Sequence, residues 1–135
     1  MRDDLFVLNI PMEPVAKGRP RMTKTGHAYT PQKTRSAEAE LKWWAAKEAG
    51  ARRLPLFDGP VGLSVAFIFP RPKTVKRKWH TVKPDVDNPC KLLMDSLNGI
   101  VWRDDSQVCE LTARKSYGDT GMIRLTVWPL DQDKE

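Results

Sequence analysis

Lys83-Pro84-Asp85-Val86-Asp87-Asn88-Pro89-Cys90-Lys91-Leu92-Leu93-Met94-Asp95-Ser96-Leu97-Asn98-Gly99-Ile100-Val101-Trp102-Arg103-Asp104-Asp105-Ser106-Gln107-Val108 is the stretch from which the rest of the chain is read. Asp85 and Asp87 stand two residues apart. Pro84 biases the backbone around it towards extended conformations, so both carboxylates are expected to leave the chain on the same side. Two carboxylates so placed repel each other, and a cation between them removes the repulsion. Oxygen ligands suit Mg²⁺ or Mn²⁺.

Asn88 is the predicted cap of a short helix whose first position is Pro89, where a missing N–H costs nothing, and Asn98-Gly99 is its predicted stop. Cys90, Leu93, Met94 and Leu97 recur at i, i+3, i+4 and i+7 and form the expected buried stripe. Lys91 and Asp95 project from another face, which starts Lys91 near the carboxylates. Asp104-Asp105 lies at the entrance to a strand predicted over 107–115, from where a third carboxylate can return to the first two. The bare chemistry is a carboxylate cluster, a lysine and a metal.

Asp-x-Asp-Asn, then Lys three residues after the Asn, then Asp-Asp-x-Gln-Val, resembles the RusA family of Holliday-junction resolvases, small metal-dependent endonucleases of bacteria and their phages. The resemblance is densest over 83–108 and extends more loosely over most of the chain. It implies metal-binding carboxylates at Asp85, Asp87 and Asp105 and a catalytic lysine at Lys91. It further implies Mg²⁺, for which Mn²⁺ may substitute, a four-way DNA junction as substrate, and a symmetric homodimer making paired nicks.

The 135 residues suffice for one core and one domain, expected to span 1–135 as a RusA-like endonuclease unit. Lys and Arg number 23 against 17 Asp and Glu, a net charge of +6 that favours polyanionic partners. Cys90 and Cys109 support neither a disulfide framework nor a zinc site; two buried thiols in a reducing cytoplasm are expected. Met1-Arg2-Asp3-Asp4 does not read as a signal peptide and no apolar run has the length of a membrane span, so a soluble cytoplasmic protein without membrane contact is expected.

In chain order, 5–10 is a strand candidate closed by Pro11 and Pro14. Residues 15–35 contain no acid and read as a long basic loop. Lys17, Arg19 and Arg21 within it are expected to contact DNA, since like charges without counter-charges repel unless an anion binds; phage-type members of the resembled family carry similar Lys-Gly-Arg-Pro-Arg stretches. Thr34 or Ser36 is the predicted cap of a helix running to Gly50, with Ala37, Leu41, Trp44, Ala45 and Glu48 at helical spacing. Trp43 and Trp44 point about 100° apart, so one is expected in the core and the other on its flank.

Residues 60–69 read as a central strand buried largely on both faces. A second basic segment follows, containing Arg71, Lys73, Lys76, Arg77, Lys78 and Lys83 together with Trp79 and His80, and it feeds straight into Asp85. Arg77, Lys78, Lys83 and Asn88 are its expected DNA contacts. Residues 108–115 and 122–128 alternate about 117–121 and predict a hairpin, and 130–135 is expected to fray. The order β-α-β-α-β-β predicts an α+β fold, a mixed sheet with helices on one face, RusA-like.

His27 and His80 lack nucleophile partners, an EF-hand fails at Cys90 and Ser96, and there is no phosphate-binding glycine loop. The reading is phosphodiester hydrolysis by metal-activated water, with Lys91 adding positive charge in the transition state. The alternatives are a non-catalytic basic protein that binds branched nucleic acid, and a metal nuclease for another DNA structure.

Overall fold

The computed structural model describes residues 5–18, 21–29 and 31–131. In chain order its elements are β1 (Phe6–Ile10), β2 (Arg21–Met22), β3 (Ala28–Tyr29), α1 (Gln32–Ala51), β4 (Val61–Pro70), α2 (Asp87–Ser96), a 3-10 turn (Asp105–Gln107), β5 (Val108–Gly118) and β6 (Met122–Pro129). The long elements follow the predicted β-α-β-α-β-β order. They form the expected α+β arrangement, a mixed four-stranded sheet in the order β1-β6-β4-β5 with two helices.

Alternation builds the core row by row. Leu8 of β1 pairs with Leu125 of β6, which pairs with Val65 of β4, which pairs with Ala113 of β5. The next row runs Ile10, Ile123, Phe67 and Lys115. Their inward side chains are buried up to β4 and become partly exposed at β5, which is an edge strand. Ala37, Leu41 and Ala45 of α1, Cys90 and Leu93 of α2, and Leu97 just past its end close over this face in one cluster. Removing a Leu or Phe side chain from water contributes roughly 1.5–3 kcal/mol, so these rows carry much of the fold's stability.

Trp102 is fully buried beside them, its indole N–H donating to Asn98 Oδ1 at 2.9 Å. Gly99 turns back at φ +82, and its N–H donates to the Trp102 carbonyl at 2.7 Å. The turn at Asn98-Gly99 stands where predicted, although α2 itself stops at Ser96.

Several expectations are corrected. β5 and β6 are not hairpin partners: β4 lies between them, parallel to β5 and antiparallel to β6. The connection at 119–121 crosses the end of β4, where Pro70 pairs with Gly118 and Ile68 with Met122. Gly118 permits this close approach, because a Cβ there would stand 2.6 Å from Ile68 Cγ2. β4 is buried along one face, and its Ser64, Ala66 and Ile68 are only half-buried. Cys109 lies on the exposed edge strand, so only Cys90 is a buried thiol.

The basic loop expected over 15–35 is interrupted by the β2–β3 ribbon and ends at Pro31, where α1 begins. Neither Thr34 nor Ser36 caps α1. Thr34 sits in the first turn, buried, and its hydroxyl accepts from the Gly18 N–H at 2.8 Å. Trp44 is the half-buried member of the tryptophan pair and packs against the core, while Trp43 stays 58% exposed beneath Lys47. The tail expected to fray is tethered at its start, where Leu130 N–H donates to Pro60 at 2.9 Å; residues 132–135 lie outside the described residues.

Candidate active site

Val86 already has helical backbone angles (φ −61, ψ −32), and Asp87 is the first residue of α2. The chain has therefore turned between the two acids, and the expected extended geometry does not form. The Asp87 carboxylate lies at the positive end of α2, where the helix dipole favours an anion. Asp85 stays on the approach segment, and Lys83 Nζ contacts both of its oxygens at 3.1 Å, with both side chains well exposed.

Asn88 does not cap the helix. Its Oδ1 accepts from the Lys17 backbone N–H, and Lys17 Nζ reaches Asp95 Oδ2 at 2.6 Å. The basic loop is thereby docked along α2, and the Lys17 charge is directed at Asp95. Arg19 lies outside the described residues, and Arg21 belongs to β2.

The Asp-Asp-x-Gln motif divides its labour. Asp104 is extended and caps the 3-10 turn, its carboxylate accepting from Ser106 N–H at 3.0 Å. Hydrogen bonds from the Ser106 hydroxyl and backbone hold this carboxyl below the usual carboxylate range. Gln107 Oε1 accepts from the N–H groups of Arg103 and Asp104 at 2.9 and 3.0 Å. Gln107 Nε2 donates to the carbonyls of Phe57 and Gly59 at 2.9 and 2.8 Å. With the turn pinned at both ends, Asp105 points into a cleft.

That cleft, of about 590 Å³, lies between α2 and β5 and brings together Asp87, Lys91 and Asp105. Cys90, Met94 and Leu111 give it an apolar floor. Burial, and then the Asp87 charge, pushes the Cys90 thiol up, so it stays protonated and is a poor metal ligand. Asp85 is not among the lining residues; it stands two residues upstream of Asp87. Among the described residues no three His, Cys, Asp or Glu side chains form a closed metal cage.

The second basic segment is laid along the edge of β5. Tyr117 N–H donates to the Lys78 carbonyl at 2.8 Å, and His80 N–H donates to the Lys115 carbonyl at 3.4 Å. Lys115 Nζ then donates to the carbonyls of Val82 and Pro84 at 2.8 and 2.6 Å. Arg77 lies over the Tyr117 ring and Lys78 over the half-exposed Trp79 ring, at 5.6 and 4.9 Å from the centroids. These cations therefore line a track that ends at Lys83 and Asp85.

Residues 11–128 match the family described as Endodeoxyribonuclease RusA. The chain belongs to the RusA family. It is also 34% identical over 131 residues to Uncharacterized protein YqaN of Bacillus subtilis (strain 168), covering 85% of this chain and 89% of that protein. Membership in RusA makes the chain a DNA-hydrolysing endonuclease. Among the described residues no helix is long and apolar enough to cross a membrane.

Within this RusA chain, the sequence reading missed Lys115 as the fastener of the segment before Asp85, and Gln107 as the fastener of the turn bearing Asp105. Gln107 carried a signal through its place in the motif. Lys115 carried none, because its partners are backbone carbonyls more than thirty residues away in the chain.

Proposed function

We propose that the chain is a divalent-metal-dependent resolvase of four-way DNA junctions, with Asp87, Asp105 and Lys91 at its centre and Asp85 as the third carboxylate. The observation that carries this reading is the convergence of Asp87, Lys91 and Asp105 in one open cleft of a RusA-family endonuclease, at the end of a basic track.

The donor set fits Mg²⁺ or Mn²⁺. Both groups in the cleft are hard oxygen donors, and Mg²⁺ is ordinarily held by one or two carboxylates, with waters and substrate phosphate completing its shell. A closed protein cage is therefore not required. Asp85 joins the set by releasing Lys83, and an exposed ion pair of this kind is worth only about 0–1 kcal/mol. When bound, the cation supplies Lewis-acid charge against the scissile phosphate and acidifies water for in-line attack.

The chain's own residues do the rest. Arg77, Lys78 and Lys83 hold the phosphate backbone and lead the strand to the cleft. Lys17 and Asn88, whose polar groups are engaged at α2, position the basic loop against that helix, with Arg19 and Arg21 as its DNA contacts. Lys91 offers a compact positive charge to the phosphate as charge develops in the transition state. Paired symmetric nicks on opposing strands require two such centres, so the acting species is a homodimer working on cytoplasmic DNA.

The test is a panel of labelled four-way junctions, flaps, single strands and linear duplexes, with Mg²⁺ and with chelator. Paired nicks in the junction alone, lost in chelator, are expected. Junction binding without cleavage in either condition would overturn the enzymatic reading, and preferred cleavage of flaps or single strands would overturn the substrate.

A further inference from the structure

Both helices pack on one face of the sheet, and among the described residues the other face carries no helix. Pairing across the four strands arranges that face in rows. Val7, Thr126, Ser64 and Thr112 form the middle row, each paired with the next across β1, β6, β4 and β5. Asn9, Arg124, Ala66 and Arg114 form the row on one side of it, and Trp128, Gly62 and Glu110 the row on the other. Apart from Gly62, all of these residues are exposed or half-buried. Gly62 lies under the Trp128 ring, and a Cβ there would collide with it, so the indole lies flat along the sheet.

A face that meets a second copy of itself across a two-fold axis must be complementary to itself, since whatever one residue offers a second, the second offers back. With the axis laid along the middle row, the residues two positions before and after that row on each strand face each other between copies. On β5 these are Glu110 and Arg114, on β6 Trp128 and Arg124, and on β4 Gly62 and Ala66. Each pairing is favourable and occurs twice: carboxylate on guanidinium, guanidinium on indole face, and two small residues at the centre of the contact. Sheets packed face to face keep their strands within about 30° of alignment, which preserves these pairings. Among the described residues neither Glu110 nor Arg114 makes an ion pair within its own chain. Arg124 is held along the face by Asn9, whose Oδ1 accepts from its Nε at 2.9 Å.

The same axis orders the two centres. It runs across the strands, so β5 of one copy packs on β5 of the other. Both acidic clefts, which lie beside β5, and both basic tracks, laid along its edge, then fall on one side of the dimer. An axis parallel to the strands would set β5 against β1 and send the two clefts to opposite sides. We propose that the helix-free face of the sheet is the homodimer interface, with Glu110 on the second copy's Arg114 and Trp128 on the second copy's Arg124. The inference deepens the homodimeric reading above and rests on it for the need of two centres.

Sedimentation equilibrium of the full chain without DNA tests this directly. Thr126 lies on the axis and faces its own copy, so Thr126→Glu sets two carboxylates against each other. It is expected to raise the dimer dissociation constant on the order of a hundredfold while the circular dichroism spectrum stays that of the wild type. Arg114→Glu and Glu110→Arg, made separately, are each expected to raise it about tenfold or more, and made together to restore the wild-type value. That restoration cannot come from a loss of folding, and it keeps the interface testable if Thr126→Glu does not fold. A wild-type chain that is monomeric at concentrations where it binds a four-way junction overturns the interface. So does a dimer that a folded Thr126→Glu leaves intact, the result expected if the copies join through the free edge of β5, two strands away. A dimer with the expected responses that cuts no DNA leaves the interface standing and overturns the nuclease reading alone.

Discussion

Lys115 Nζ stands 2.6 Å from the Pro84 carbonyl oxygen, one residue before Asp85, so the edge of β5 fixes where the acidic segment begins. Replacing Lys115 with Met keeps the aliphatic stem and removes this bond and its companion to Val82. Hydrogen bonds from charged donors are worth about 1.5–3 kcal/mol, and partial exposure reduces that here, so a loss of about 1–2 kcal/mol in stability is expected. Junction cleavage should fall about tenfold or more with KM little changed, and Lys115→Arg should restore part of the rate. Thermal melting together with kcat and KM on one preparation checks this; an unaltered kcat would remove Lys115 as a positioning residue.

Gln107→Glu sets a carboxylate against the carbonyl oxygens of Phe57 and Gly59, replacing two donated hydrogen bonds by repulsion. A loss of about 1–3 kcal/mol is expected from denaturant unfolding. Cleavage should fall with it, because the turn carrying Asp105 loses its anchor. Asp104→Asn should weaken the cap and lower the melting temperature while cleavage largely persists. If Asp104→Asn instead matches Asp105→Asn in its loss of cleavage, the division of labour between the two acids is wrong.

His80 makes folding sensitive to mild acid. Burial, and then the positive charge of Lys115, holds its folded pKa below its usual value near 6.5, so the unfolded chain binds more protons. The stability it contributes is fully present above about pH 6.5 and is lost as pH falls from there through the folded pKa. Melting temperatures from pH 7.5 down to pH 5 should decline, and His80→Phe should flatten the part of that decline nearest pH 6. Identical slopes for both proteins would contradict the buried neutral imidazole.

Lys91 lies close to the positive end of α2, where its charge is slightly unfavourable to the helix dipole. Lys91→Ala should therefore leave stability unchanged or raise it by at most about 1 kcal/mol. The cleavage rate should fall on the order of 10²-fold, while junction affinity changes far less. A stable, junction-binding Lys91→Ala protein with a normal single-turnover rate would place the lysine outside the chemistry.

Local periodicity made much of this molecule legible. Cys90, Leu93 and Leu97 at helical spacing lie in the core, as do Ile123, Leu125 and Val127 at strand spacing. The acid-lysine motif likewise brings Asp87, Lys91 and Asp105 into one cleft. What escaped depends on pairing across long separations. Alternation in 108–118 and 122–129 says that both are strands, and it does not say that the more apolar β4 will separate them. The edge position that follows is what exposes Cys109.

Asn88 and Thr34 have the side chains of helix caps, yet their oxygens accept from the N–H groups of Lys17 and Gly18, partners with no local signal. Asp85 and Asp87 were misread for a simpler reason: a bias towards extended backbone before α2 gave way to helical angles at Val86, two residues earlier than the predicted cap.

The most direct measurement of the central claim is single-turnover cleavage of a four-way junction by Asp87→Asn and Asp105→Asn in saturating Mg²⁺, with junction affinity measured on the same samples in chelator. The expected result is cleavage reduced by at least about 10³-fold, with affinity equal to or tighter than wild type because a negative charge near phosphate has been removed. Cleavage at the wild-type rate by either variant would contradict the assignment of this cleft as the metal-dependent centre.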